Sequence, residues 1–193
     1  FFQNKNFLVL KMSKGAAKFT REDELLLQDF SSAVSKKGTL IFYGISAFVG
    51  LTPVYLFYGA HQMEIADSWF IWLAAAIGVA YLLAQSYKNM KHVLKHQIVI
   101  KRGDAIAREM NRILSDDKKM SKKEKDERIL WKKNEVGDYE ATLFAIFYNN
   151  LLFFVLLVFL SFFILYSISP IFNCLVSMYG AAGIVLLFST SKK

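Results

Sequence analysis

The sequence predicts an all-α membrane protein with four transmembrane helices and a cytosolic helical hairpin between spans two and three. Two observations carry this prediction: hydrophobic residues make up 54% of the 193 residues, and charged residues are missing from three long runs. A soluble domain of this size cannot bury so much apolar surface. The alternative, helices buried in a soluble protein, is disfavoured because such helices usually carry a polar face.

The uncharged runs place the spans. Residues 38–62, 68–87 and 141–191 contain no Asp, Glu, Lys or Arg. About 20 apolar residues cross the hydrocarbon core as a helix, so the third run is long enough for two helices. Pro170 disfavours helix at Ser169, which places a turn there. The expected spans are residues 39–60 and 67–87 in a first transmembrane hairpin (39–87), and residues 143–166 and 171–189 in a second (141–189).

Several residues inside the spans bear on packing. Pro53 is expected to kink the first span. Small residues at close-packing spacing are expected to let helices approach one another. Uncharged polar residues are expected to form hydrogen bonds between helices. The small residues are Gly44, Ala47 and Gly50; Ala74 and Gly78; Ser177, Gly180, Ala181 and Gly183, and the polar ones are Ser46, Thr52, Gln85, Ser86, Asn149 and Asn150. Because no charge lies clearly within a span, a pump or ion-coupled transporter is disfavoured.

The basic residues predict the orientation. Residues 1–38 hold seven Lys/Arg, residues 88–140 hold fifteen and residues 190–193 hold two, whereas the two short loops hold none. Basic loops face the cytosol, so both termini and residues 88–140 are expected on that side. Met12 is the expected start, with residues 1–11 as an upstream extension that does not resemble a signal peptide. Residues 20–30 suggest a short capped helix that either docks or is disordered.

Residues 88–140 are expected to form a helical hairpin standing on spans two and three. Its first half has Gly103 as a weak point and carries apolar residues at helical spacing: Met90, Val93, Leu94, Ile98, Ile106, Met110, Ile113 and Leu114. Ser121 and Glu124 have the spacing of a capping box, which begins a second helix that carries Ile129, Leu130, Trp131 and Val136. Roughly 25 residues per arm at ~1.5 Å rise give a projection of about 40 Å.

Basic residues concentrate at the far end of this hairpin. Glu124 and Arg128 have the spacing of a solvated ion pair, which explains the mixed charges that follow. Such ion pairs explain less well a group of four cations with no acid among them: Lys118, Lys119, Lys122 and Lys123. Anionic lipid lies too far from the tip to be felt strongly through salt. A large cytosolic polyanion fits better, and RNA phosphate is the expected one, bound without sequence readout.

Motifs for catalysis, metals and cofactors are missing from the sequence. His92 and His96 have a spacing that zinc helices use, but no glutamate lies between them and no third ligand is near. There is no Gly-rich phosphate loop, no nucleophile elbow and no pair of catalytic carboxylates. Cys174 is expected to be a small apolar residue within a span. The predicted protein is therefore not an enzyme and has no cofactor.

Five runs are specific beyond composition: EDELLLQDF at 22–30, YKNMKHVLKH at 87–96, KMSKKEKDERILWKKNEV at 119–136, DYEAT at 138–142 and IFYNN at 146–150. Together they resemble the gamma-subunit family of the translocon-associated protein (TRAP) complex, also called signal sequence receptor gamma. The resemblance covers the chain from Met12 to its end, but residues 1–11 have no counterpart. Gly137 stands where the family leads us to expect alanine, which lowers helix propensity by about 1 kcal/mol and is expected to soften the hairpin base.

The resemblance implies a multi-pass protein of the endoplasmic reticulum membrane that is not an enzyme. Such subunits assemble with TRAP alpha, beta and delta beside the Sec translocon and assist co-translational protein translocation. They anchor the complex to the large ribosomal subunit through ribosomal RNA and a ribosomal protein. The family's contact maps to the hairpin tip, here Lys118, Lys119, Lys122 and Lys123, with Lys125 beside them.

Two alternative functions are a small transporter with a regulatory hairpin and a lipid-modifying enzyme. The chain lacks the broken helices of the first and the nucleophile–base pair of the second.

Overall fold

The computed structural model describes residues 36–115 and 121–190, and this part of the chain is all-helical. Its α-helices are α1 (Lys36–Gly59), α2 (Ile65–Leu114), α3 (Lys122–Phe159) and α4 (Pro170–Thr190). A π-helix (Leu160–Ile164) follows α3 directly. All four α-helices are long and apolar enough to cross a membrane, which confirms the predicted class and number. The predicted helix at residues 20–30 lies outside the described residues.

The described chain divides into two compact units. The first, which we call the apolar unit, contains residues 36–94 and 141–190. The second, which we call the basic helix pair, contains residues 95–115 and 121–140. Both α2 and α3 contribute residues to each unit. In particular, α2 continues without a break through Gly103 to Leu114.

Large apolar side chains from all four helices form the core of the apolar unit. Phe42, Phe57, Leu83, Phe153 and Met178 are fully buried there. Other large apolar side chains cover the outside: Leu40 is 77% exposed, Phe48 76% and Leu187 69%. In water this outer surface would be unfavourable, whereas hydrocarbon solvates it. The distribution is that of a membrane-spanning helix bundle.

Two of the predicted small residues lie where helices approach closely. A Cβ at Gly50 would lie 2.9 Å from the Ala76 carbonyl oxygen on α2. A Cβ at Gly78 would overlap the ring of Tyr179, whose hydroxyl donates to the Ala74 carbonyl at 3.0 Å. Gly44 has nothing within 4 Å of its Cβ position. Similar spacing therefore does not mean a similar role, because Gly50 and Gly78 lie at close contacts and Gly44 does not.

Polar side chains join helices at one level of the apolar unit. Ser86 Oγ on α2 donates to Asn149 Oδ1 on α3 at 3.0 Å, and the Tyr87 hydroxyl donates to Asn150 Oδ1. These pairs agree with the predicted hydrogen bonds across helices. Ser46 and Thr52 differ from the prediction because each donates to a carbonyl of its own helix, at 3.1 Å.

A second polar cluster, at the other end of α3, was not predicted. His61 Nε2 and Ser161 Oγ share a hydrogen bond of 2.7 Å, and the His61 ring stacks on Phe57 and on Phe162. Asn173 Nδ2 donates to the carbonyls of Ser161 and Leu165, at 3.0 and 3.1 Å. This donation accompanies the change from α- to π-helix, which the expected span of residues 143–166 did not include. Ser161 is fully buried, whereas His61 is half-buried.

His61 should make the stability of the apolar unit depend on pH. Burial lowers the pKa of His61 below its ordinary value of 6.5 because the cation would lose hydration. The folded chain therefore binds fewer protons than the unfolded chain below that pH, and stability falls as the pH decreases through this range. We expect the unfolding temperature in detergent to be lower at pH 5.5 than at pH 7.5.

The matched variants for this experiment are His61→Gln, which removes the titrating group, and His92→Gln, which changes an exposed histidine of α2. The wild type and His92→Gln should lose the same stability between the two pH values, and His61→Gln should lose less. An unchanged loss in His61→Gln would contradict the prediction.

The two halves of the basic helix pair run antiparallel. Lys95 Nζ contacts Asp138 Oδ1 at 3.3 Å, and the side chain of Lys133 lies 3.8 Å from the Cβ position of Gly103. Lys125 reaches the end of α2 at Leu114. The residue numbers of the contacts on α3 thus fall as those on α2 rise, as expected for an antiparallel helix pair.

Gly137 has a packing role within this pair. A Cβ at Gly137 would lie only 2.7 Å from Val99 Cγ2. Val99 is 1% exposed, and a β-branched side chain on a helix is held close to one rotamer. Glycine thus permits a close approach of the two helices, a gain that helix propensity alone does not reveal.

Candidate nucleic-acid interface

The site begins at the capping box that starts α3. The Ser121 amide donates to Glu124 Oε2 at 3.0 Å, and the Glu124 amide donates to Ser121 Oγ at 3.3 Å. This reciprocal pair satisfies two backbone donors at the first turn and fixes where the helix begins. It also commits the Glu124 carboxylate to the backbone, rather than to the predicted pair with Arg128.

Lys125 links the first turn of α3 to the end of α2. Its ammonium donates to the Leu114 carbonyl at 2.9 Å, and Leu114 is the last residue of α2. A lysine at this position satisfies a carbonyl that the helix leaves without a partner. The structure therefore gives Lys125, one of the five predicted phosphate contacts, a contact that joins α3 to the end of α2.

Lys122 and Lys123 occupy the first turn of α3 and both are exposed. Among the described residues, neither has a carboxylate oxygen within salt-bridge distance. The positive end of the helix dipole disfavours cations at this position by about 0.3–1 kcal/mol. Their charge is thus available to an external anion, which would also interact favourably with the helix end. Lys118 and Lys119 lie outside the described residues.

Three basic residues farther along the pair have ion-pair partners within it. Lys132 Nζ contacts Glu135 Oε2 at 2.8 Å, and Arg102 contacts Glu140. Lys95, which is 7% exposed, contacts Asp138. Lys122 and Lys123 differ from these three residues because neither has such a partner among the described residues, and the charge count alone does not show this difference.

The burial of apolar residues in the pair agrees only in part with their helical spacing in the sequence. Ile106, Leu114 and Ile129 are buried, as their helical spacing predicts. Ile113 is 60% exposed and Trp131 is 59% exposed, although both belong to the apolar residues that predicted these two helices. A tryptophan on the surface of a basic helix offers a flat apolar face for a base or a protein side chain.

A family model described as "Translocon-associated protein, gamma subunit (TRAP-gamma)" matches residues 22–191. The chain belongs to the TRAP-gamma family. The translocon-associated protein subunit gamma of Dictyostelium discoideum is 26% identical over 171 residues, which cover 89% of this chain and 97% of that protein. The match to TRAP-gamma includes the basic helix pair and the four apolar helices, so both units belong to what the family shares. TRAP-gamma is a family of translocon-associated membrane subunits and not a known family of enzymes.

Proposed function

We propose that this TRAP-gamma chain docks the translocon-associated complex on the translating ribosome through the basic end of its helix pair. Lys122 and Lys123 contact phosphates of ribosomal RNA in the large subunit, together with Lys118 and Lys119, while a ribosomal protein provides a second contact. The contact assists co-translational translocation at the Sec translocon by holding the ribosome beside it. The protein acts without catalysis.

The observation that carries this proposal is the position of Lys122 and Lys123. Both are exposed in the first turn of α3, where the helix dipole opposes them and the carboxylate of the adjacent Glu124 is bonded to backbone. A folded protein gains nothing internally from two cations at such a place. A bound polyanion reverses the balance, since phosphate interacts favourably with both the ammonium groups and the helix end.

The proposed orientation follows from the distribution of charge. Fifteen Lys/Arg lie in residues 88–140 and none lies in the loop of residues 60–64. With four spans, the positive-inside rule places the helix pair and both termini in the cytosol, where ribosomes are. The membrane is that of the endoplasmic reticulum, and the partners within it are the TRAP alpha, beta and delta subunits and the Sec translocon.

The test is ribosome binding by the full chain in detergent or nanodiscs, measured against salt concentration. We expect Lys122→Glu/Lys123→Glu to weaken binding by about tenfold or more at physiological salt, because two attractive interactions with phosphate become repulsive. The dependence of log K on log salt should become shallower by roughly 0.7–0.9 for each phosphate that the variant no longer binds. Sequence preference should not change, since lysine–phosphate interactions read no bases.

The control is Lys101→Glu/Arg108→Glu, which changes the net charge equally at two exposed positions of α2 in the same helix pair. It should bind more tightly than the Lys122/Lys123 variant and keep a steeper dependence on salt. Equal weakening in both variants would mean that net charge alone attracts the ribosome, and unchanged binding in the Lys122/Lys123 variant would overturn the proposed interface. Labelling of a cysteine introduced near Lys122, in sealed microsomes, separately tests the orientation.

A further inference from the structure

We propose that the groove between α1 and α2 binds an anionic phospholipid, with one acyl chain in the groove and the phosphate at Lys88. The groove has a volume of about 460 Å³ and lies within the apolar unit. Its walls and floor come from both helices, including Tyr43, Ala47 and Leu51 of α1 and Ala76, Ile77 and Ala80 of α2.

The groove follows from the residues at this helix contact. Gly50 brings α1 against the Ala76 carbonyl, so the two helices lie close together. Ala47 and Ala80 are too short to fill the crevice outside that contact, whereas Tyr43 and Leu51 stand as walls at its two ends. From Tyr43 to Leu51 the helix rises about 12 Å. This is close to the depth of one leaflet, since the whole hydrocarbon core is about 30 Å thick.

A positive charge lies at the Tyr43 end of the groove. Lys88 Nζ is 3.3 Å from the Tyr43 hydroxyl oxygen and 4.8 Å from the centre of its ring, and both partners are neutral. Lys91, one turn farther along α2, lies 5.7 Å from the centre of the Phe42 ring. The ammonium group of Lys88 therefore lies beside Tyr43 at the border of an apolar groove.

This combination determines the chemical class of the ligand. An apolar groove alone would accept any acyl chain, a sterol or a partner helix. The cation at one end favours a ligand with a negative group attached to the chain, and a lysine close to the membrane surface contributes about 1 kcal/mol toward anionic lipid. An anionic phospholipid provides both parts, and its phosphate can also accept a hydrogen bond from the Tyr43 hydroxyl.

Native mass spectrometry of the full chain tests the proposal. The purified protein is equilibrated in neutral detergent with equal amounts of dioleoyl phosphatidylserine and dioleoyl phosphatidylcholine. We expect the wild type to retain phosphatidylserine about fivefold more than phosphatidylcholine. Lys88→Gln should bring that ratio close to one, and Ala47→Phe, which fills the groove, should reduce retention of both lipids.

Two control variants match these changes. Lys101→Gln removes an exposed lysine of the same helix, and Val155→Phe adds bulk at an exposed position of α3. Both should retain lipid like the wild type, and the unfolding temperature of each variant verifies that it is folded. Equal retention of the two lipids by the wild type would overturn the proposal, as would retention that is unaffected by Ala47→Phe. Reduced lipid retention only in Ala47→Phe, with Lys88→Gln unchanged, would overturn the choice of an anionic lipid.

Discussion

Gly50→Val is expected to destabilise the chain by about 1–3 kcal/mol or more and to separate α1 from α2. The Cβ alone would lie 2.9 Å from the Ala76 carbonyl oxygen and 3.5 Å from the Ala80 amide nitrogen. Both atoms belong to the backbone, so no side chain can rotate away and the helices themselves must move. The packing of α1 against α2 would open with them. The measurement is thermal or denaturant-induced unfolding of the detergent-solubilised protein.

Gly44→Val is the matched control for that change. It makes the same substitution on the same helix, six residues earlier, at a position where nothing lies within 4 Å of the new Cβ. Any cost of a β-branched residue on the helix is common to both variants and cancels in the comparison. Gly44→Val should therefore remain within about 0.5 kcal/mol of the wild type. Similar destabilisation in the two variants would show that the close approach at Gly50 is not the cause.

The number of helices could be predicted from the sequence because it depends on composition averaged over about 20 residues. Missing charges mark α1 and α4 almost to their ends, and Pro170 stands at the first position of α4, where its missing amide hydrogen has no consequence. The length of α2 was also predictable, since the apolar spacing continues past Tyr87 and no proline interrupts it. These features are local, so the surrounding structure changes them little.

The features that were missed depend on residues far apart in the chain. His61 and Ser161 are 100 residues apart, and neither shows a motif. The π-helix after Phe159 accompanies the donation by Asn173, which lies on another helix. At the candidate site, the capping spacing at Ser121 was visible in the sequence. The contact of Lys125 with Leu114 was not, because it depends on how two helices meet at the turn.

Gly137→Ala is expected to change the stability of the basic helix pair with a sign that depends on residue 99. Alanine adds about 1 kcal/mol of helix propensity. Its Cβ would lie 2.7 Å from Val99 Cγ2, and overpacking of this kind typically costs about 1–3 kcal/mol. The single variant should therefore be less stable than the wild type. Hydrogen exchange of the amides in residues 95–114 and 121–140 measures this in the full chain, and each 1.4 kcal/mol accelerates exchange about tenfold.

Val99→Ala removes both methyl groups of the valine, including Cγ2, which the new Cβ would meet. In that background Gly137→Ala should increase protection, because the propensity gain remains and the overlap is gone. The double-mutant cycle thus gives a coupling of opposite sign to either single effect, as expected for residues in direct contact. If Gly137→Ala instead stabilises the helix pair equally in both backgrounds, the glycine is only a weak helix former there and the close approach of α2 and α3 is not required. If the coupling is found, an alanine at position 137 is compatible with this hairpin only when position 99 carries a smaller side chain than valine.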